Sequence, residues 1–241
     1  VGSMGDDTPI AVLSSKFRPL SNFFRQNFSQ VTNPPIDSLR ENRVMSLNTR
    51  FGNLENILDD RLTEQKSYVL DSPVLSNTQF KKLFEIFGDE SVQKIDCTFE
   101  KDNKELNLKS EIERIRKESE FYVRSGKKHL IITDENISKD RISIPIILAV
   151  GAIQSHLVKK GLRKFTSLNV RSSECLDTHY YAVLIGAGAT TVNAYLAIDS
   201  IYQRFEKKLF GKFSFDECVH RYIKAVNDGL LKIMSKMGIS V

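Results

Sequence analysis

Apolar residues in this chain recur at two spacings, and the spacings divide it into strands and helices. From Lys94 to Phe99 they alternate with polar ones, which predicts a half-buried strand with Ile95, Cys97 and Phe99 on one face. Lys128 to Asp134 and Thr166 to Arg171 hold short apolar runs of the kind found in buried parallel strands. Between them the period lengthens to that of a helix. A charged helix is predicted from about Leu106 to Val123, ended by Gly126, and another from Ile144 to Lys160, ended by Gly161. Two capping signals open further helices, Ser76 with Gln79 ahead of Phe80, Leu83, Phe84 and Phe87, and Ser214 with Glu217 ahead of a long helix reaching Gly238. Strand and helix alternate from about Lys94, with helical segments expected from Thr178 onward. The fold class expected is α/β, a short parallel sheet of βαβ units with packed helices.

The first third is less regular. Ile10 to Leu13 reads as a short buried strand or a strap over a core. Leu20 to Phe28, after Pro19, reads as a short helix turning its phenylalanines inward. Asn33-Pro34-Pro35 is held extended, because a residue before proline is pushed out of the α region and proline donates no N–H. Asp37 then stands as N-cap of a helix expected over Ser38–Phe51, closed by Gly52. A strand is expected at Ser67 to Leu70.

Charge and composition narrow the chemistry. Net charge is +5, but the 35 basic and 30 acidic residues interleave, so no nucleic-acid-binding face is expected. The longest apolar run, Ile144 to Ile153, is too short for a membrane span and contains Pro145. The 3 cysteines, Cys97, Cys175 and Cys218, lie far apart without the paired spacing of a zinc or iron–sulfur site, and are expected as reduced thiols in a cytoplasmic protein. His179, beside Tyr180 with Glu174 and Asp177 near, suggests acid–base work. A hydrogen-bonded structural histidine is the stronger expectation. Ala182 to Ala189 imitates a dinucleotide fingerprint, yet residue 191 is Thr191 and no acidic residue follows at the right distance. An autonomous small-molecule or nucleotide binder using the Gly186 to Thr191 turn is the alternative reading.

The stretches Ser3 to Pro9, Gln30 to Arg40, Val44 to Leu47, Ser72 to Ser76, Leu148 to Ile153, Ala182 to Gly186 and Gly229 to Ser240 closely resemble the central domain of glutamate synthase large subunits. The resemblance implies a non-catalytic linker of residues 1–235 between an amidotransferase domain and an FMN-binding synthase barrel, with 236–241 as the barrel's truncated start. The chain then looks cut from a longer polypeptide. It further implies that FMN and an iron–sulfur cluster belong to the parent enzyme and that no cofactor belongs to this fragment. Its partners would be the two catalytic domains of the same polypeptide, with a small NADPH-dependent subunit or ferredoxin reached through the parent. The resemblance also implies that the chain helps wall an ammonia path. Met45 is implied to approach the FMN and 2-oxoglutarate pocket, with Asn33 and Arg40 as further pocket or interdomain residues. From their types alone, Met45 reads equally as core filler and Arg40 as a surface ion pair.

Overall fold

The computed structural model describes residues 11–26, 40–51, 68–101 and 107–239. In chain order the elements are α1 (Glu41–Val44), β1 (Thr49–Phe51), β2 (Tyr68–Leu70), α2 (Asn77–Ser91), β3 (Val92–Asp96), β4 (Thr98–Glu100), α3 (Leu108–Arg124), β5 (His129–Thr133), β6 (Arg141–Ser143), α4 (Ile146–Lys159), β7 (Ser167–Arg171), α5 (Thr178–Gly186), β8 (Thr191–Asn193), α6 (Tyr195–Glu206) and α7 (Phe215–Met237).

Four strands form a parallel sheet in the order β3-β5-β7-β8. Spatial order equals chain order and each crossover carries a helix, as in the wall of a βα barrel and unlike a doubly wound sheet, whose order reverses. The α/β expectation is met. At the outer edge Val74 adds a parallel bridge to Val192.

Side-chain alternation gives the sheet two unlike faces. Ile95, Ile132, Val170 and Val192 stand in register across all four strands. With Leu130 and Leu168 they are fully buried in one cluster with Ile115 of α3, Ile146, Ile153 and Leu157 of α4, and Leu184 of α5. Burying each such side chain stabilises the fold by roughly 1.5–3 kcal/mol, so this layer carries most of the stability. The opposite face is polar except around Ile131, where Leu75, Phe80 and Leu83 form a second, smaller cluster from α2 and the segment before it.

Helix ends follow the expected chemistry closely. Ser76 and Gln79 make a reciprocal capping box on α2. Asn107 and Ser110 make another on α3, so that helix begins at Leu108 rather than Leu106. Ser214 accepts from the Glu217 backbone, but the Glu217 side chain turns instead to Arg221. Gly238 closes α7 in the left-handed conformation.

Four expectations need correction. Of the predicted helix over Ser38–Phe51, the described residues 40–51 are helical only at Glu41–Val44. Ser46 Oγ accepts from the Asn48 backbone and Thr49 Oγ1 donates to the Leu47 carbonyl. Such local bonds compete with the helix, and Thr49–Phe51 instead pairs antiparallel with Tyr68–Leu70. Ala11–Leu13 is a short 3₁₀ turn with Val12 and Leu13 exposed, not a buried strand. Leu20–Phe23 is also only a 3₁₀ turn, and Phe23 and Phe24 face outward. The single strand expected from Lys94 to Phe99 divides at the buried Cys97. β3 lies parallel to β5, whereas β4 turns away to pair antiparallel with β6. The Asn33-Pro34-Pro35 corner, the Asp37 cap and Phe28 lie outside the described residues.

Candidate functional site

In parallel βα folds the carboxyl ends of the strands gather the loops, and chemistry is usually placed there. In this chain they gather Asp96, Asp134, Glu135, Arg171, Ser173, Glu174 and Asn193. Asp96, Thr133, Arg171 and Asn193 lie in one register row across the sheet.

Arg171 is the centre of that row. Its Nε donates to Glu135 Oε1 at 2.6 Å and its Nη1 to Asn193 Oδ1 at 2.7 Å. The guanidinium lies 5.6 Å from the Phe80 ring centroid and 5.0 Å from that of Tyr195. Glu135 also stands 3.6 Å from Lys94 Nζ. Burial alone would raise the Glu135 carboxyl, but the hydrogen bond and charge of Arg171, aided by Lys94, hold it below the ordinary range. Asn193 passes the connection on, donating to the Leu75 carbonyl and to Asn77 Oδ1, both at 2.9 Å.

Asp134 is fully buried beside this row. It accepts from the Ser173 backbone at 2.9 Å, from Ser173 Oγ at 2.9 Å and from Ser172 Oγ at 3.1 Å. Burial, with the Asp134 charge next, pushes the neighbouring Tyr195 hydroxyl up to about 12. Glu174 accepts from the Tyr180 hydroxyl and from the Ile146 backbone at 3.3 Å. It therefore caps α4, whose own N-cap, Pro145, has no side chain able to do so. Burial raises the Glu174 carboxyl. At the end of β3, burial would raise Asp96, but Asn136, Thr98 and Arg141 together hold it low.

A cleft of about 920 Å³ opens between α2 and the polar face of the sheet, lined in part by Phe80, Phe84, Lys94, Ile131, Glu135 and Arg171. In its lining Lys81 pairs with Glu85, Lys94 and Arg171 share Glu135, and Lys127 donates to the Asp89 carbonyl. The hydroxyls at the strand ends, those of Thr133, Ser172, Ser173 and Tyr180, donate to the carboxylates of Glu135, Asp134 and Glu174, and these bonds tie the strand ends together.

The sequence-predicted residues fall elsewhere. Met45 is 7% exposed, just after α1, and α1 packs on α7. Arg40 is exposed, and its carbonyl accepts from Arg43 and Val44 to open α1. Asn33 lies outside the described residues. His179 Nε2 donates to the Ser21 carbonyl at 2.8 Å, the structural role expected of it. Of the described ones, Met45, Arg40 and His179 do not join the Arg171 row. Sequence reasoning passed over Glu135 and Arg171, although both follow apolar runs at the ends of strands it had located.

The Gly186 to Thr191 turn lies after a helix and before a strand, at the amino ends of the sheet, the reverse of a dinucleotide site. Every backbone N–H from Ala187 to Thr190 is already donated, to Val183, Ile185, Leu184 and Leu168 in turn. Gln154 occupies the space a side chain at residue 188 would need, and Arg163 donates to the Gly188 carbonyl at 2.9 Å. No cradle for a phosphate remains, so this geometry does not favour the nucleotide reading.

The groups expected of a parent enzyme fit these residues no better. Cys97, Cys175 and Cys218 are single buried thiols, and burial pushes the first two up. Among the described residues no cluster of three or more His, Cys, Asp or Glu is placed to hold a metal. A flavin phosphate would seek free cations or N–H groups, whereas Arg171 and Lys94 share Glu135. Among the described residues no helix is long and apolar enough to cross a membrane.

The chain is 57% identical over its 241 residues to the glutamate synthase [NADPH] large chain of Azospirillum brasilense. It is 39% identical over 249 residues to the ferredoxin-dependent glutamate synthase of Pyropia yezoensis, and 38% over 252 residues to the chloroplastic ferredoxin-dependent enzyme of Spinacia oleracea. These alignments take in 99–100% of this chain but only 15–16% of each relative, so the chain spans about a sixth of their length. One relative is named as chloroplastic, so membership of this group does not by itself fix the compartment. A weaker likeness in backbone course, with a TM-score of 0.45 at 13% identity over 70% of this chain and 36% of the other, links it to a mutant flavocytochrome b2 with pyruvate bound. The family model described as glutamate synthase central domain matches residues 1–241, and the chain belongs to that family.

Proposed function

We propose that this chain is the non-catalytic central domain of a glutamate synthase. It holds an amidotransferase domain and an FMN-binding synthase barrel of the same polypeptide in register and helps wall the path ammonia takes between them. The observation that carries this reading is the closed bonding of the strand ends: Glu135 answers both Arg171 and Lys94, and Asn193 ties Arg171 to the segment before α2. Such a network resists distortion, which suits a part that must fix distances between two reacting centres. Residues 236–241 are assigned to the start of the barrel, and α7, which runs through Met237, would carry the junction. FMN and the iron–sulfur cluster belong to neighbouring segments of the parent, and electrons enter there from a small NADPH-dependent subunit or from ferredoxin. Met45, Asn33 and Arg40 lie where the chain approaches the synthase pocket, Met45 as an apolar wall.

Two measurements test this. Gel filtration of the 241-residue chain with added FMN is expected to give a colourless protein peak. A yellow peak of stoichiometric flavin would overturn the non-catalytic reading. In the parent enzyme, Met45→Ala is expected to raise the ammonia released per glutamine hydrolysed, while glutamine hydrolysis alone is unchanged. Coupling as tight as in the unaltered enzyme would remove Met45 from the path.

A further inference from the structure

The corner between α6 and α7 combines exposed apolar side chains with unneutralised positive charge. Leu209 is 66% exposed, Phe213 47%, and Leu176, on the neighbouring loop, 59%. A groove of about 600 Å³ is lined by Leu176 and Phe213 together with Ala197, Ile201, Phe210 and Tyr222, and most of its lining is apolar. Large aliphatic and aromatic side chains left in water at one place mark an interaction surface better than the same residues scattered singly.

Arg204 lines the groove, and Lys207, Lys208 and Lys212 are exposed in the segment that carries Phe210 and Phe213, with Glu206 the one acid among residues 204–213; none of these four cations forms an ion pair among the described residues. This differs from α3, where Arg114 is held by Glu111 and Glu118, and Arg124 by Glu120. The α6 dipole accounts for a cation in its last turn. It does not account for Lys212 or for the exposed Leu209 and Phe213 beside the lysines. Arg221, by contrast, is committed: it pairs with Glu217 and lies 4.3 Å from the Phe213 ring centroid, fixing one wall. The turn itself is held in place, with Lys208 N donating to the Phe205 carbonyl at 2.8 Å and Leu209 N to the Arg204 carbonyl at 3.1 Å.

We propose that this corner docks an acidic amphipathic protein segment, its apolar side seated in the groove and its carboxylates facing Arg204, Lys207, Lys208 and Lys212. The surplus of like charge weighs against a second copy of the same patch as occupant, since a two-fold contact would set the lysines against one another. An occupant with carboxylates at its rim and leucine or phenylalanine at its centre matches both halves of the surface.

The test uses the full chain and three fluorescein-labelled peptides of equal length, read by polarisation at 50 and 200 mM salt. One alternates glutamate with leucine at helical spacing, one replaces leucine by serine, and one replaces glutamate by lysine. The Glu/Leu peptide is expected to bind saturably and at least tenfold tighter than either control. The charge variant K207E/K208E and the apolar variant L176S, at an exposed leucine of the groove wall, are each expected to lose at least tenfold, with circular dichroism and urea midpoint unchanged. If a variant proves unfolded, K212E serves in its place at an exposed position on the same rim. Equal affinity for the Glu/Leu and Glu/Ser peptides would overturn the proposal by reducing the patch to ion exchange. So would tighter binding to anionic lipid vesicles or to single-stranded RNA than to the Glu/Leu peptide, or no saturable binding at all.

Discussion

The Ser167 hydroxyl lies 2.8 Å from His129 Nδ1, and Asn169 Nδ2 donates to the same Ser167 oxygen at 2.8 Å. Burial favours the neutral imidazole of His129. Thr191 Oγ1 donates to Asn169 Oδ1 at 2.8 Å, so the polar face of the sheet carries a continuous chain across β5, β7 and β8.

A stability profile with a defined sign follows from that arrangement. Burial, with the charge of Lys128 second, lowers His129 from 6.5 to about 4. Above pH 6.5 neither folded nor unfolded chain protonates it and it has no effect. Between pH 6.5 and about 4 the unfolded chain binds the proton first, so stability falls as pH falls, by up to about 3 kcal/mol at the lower limit. His129→Asn keeps an acceptor for Ser167 while removing the titration. It is expected to lower stability at neutral pH through loss of the contact with Phe87, 4.2 Å between ring centroids, and to flatten the profile from pH 7 to 5. Urea midpoints across that range measure it, and an unchanged slope in the variant would assign the acid sensitivity to other groups.

At the other end of the same strands, Arg171 joins Glu135 and Asn193 with only a fifth of its side chain exposed. Arg171→Met leaves Glu135 without its main partner and Asn193 Oδ1 without this donor, and should cost about 2–3 kcal/mol. Arg171→Lys keeps the charge but not the fork, so an intermediate loss is expected. Because Glu135 is held below its ordinary value, its contribution is present above the unfolded carboxyl range and is lost as pH falls through the folded one. The Met variant should therefore lose less on acidification than the parent chain. A double-mutant cycle with Glu135→Gln, read by urea unfolding, is expected to return a coupling of at least about 1 kcal/mol. Additive losses would mean that the pair is not what fixes the strand ends.

The sequence disclosed the helix-facing half of the molecule much better than the polar half. Ile95, Leu130, Ile132, Leu168 and Val170 alternate in short apolar runs, and Gly126 and Gly161 end α3 and α4 visibly, both with positive φ. β8 was missed because Thr191-Val192-Asn193 is only three residues long and shows nothing but small polar side chains on its second face. β4 and β6 were missed for a similar reason: three-residue strands pair with each other beyond a division at Cys97 that alternation cannot register. The Arg171 row was hidden by distance, since Glu135 and Arg171 are 36 residues apart and only the parallel register brings them together.

The two glycines of the apparent fingerprint should behave oppositely. Gly186 ends α5 with nothing within 4 Å of where a side chain would begin, whereas Gly188 has φ +116 and a Cβ there would meet Gln154 Cδ at 2.6 Å. Gly186→Ala is expected to be neutral or to stabilise by up to about 1 kcal/mol through helix propensity. Gly188→Ala should cost about 2–3 kcal/mol from strain and displacement of Gln154, which also receives Arg163. Thermal melts of both variants separate a packing turn from a ligand turn. Equal sensitivity of the two would contradict the packing account.

Gly229 makes a sharper case, because helix propensity and packing give opposite signs there. It sits inside α7, where replacing glycine by alanine in an isolated helix would gain about 1 kcal/mol. A Cβ at this position, however, would lie 2.6 Å from Thr178 Cγ2 and 2.8 Å from Thr178 Oγ1. Thr178 is the first residue of α5, next to the N-cap Asp177, whose carboxylate receives the Tyr180 N–H at 2.8 Å. Its backbone has little freedom to retreat without breaking that cap. Gly229→Ala is therefore expected to destabilise the chain by about 1–3 kcal/mol despite the better helix former. The double variant with Thr178→Ser, which removes the nearer methyl, should recover a large part of the loss. Urea unfolding of the single and double variants decides it: a Gly229→Ala chain more stable than the parent would mean that α5 and α7 adjust freely and that their close crossing is not a fixed feature of the fold.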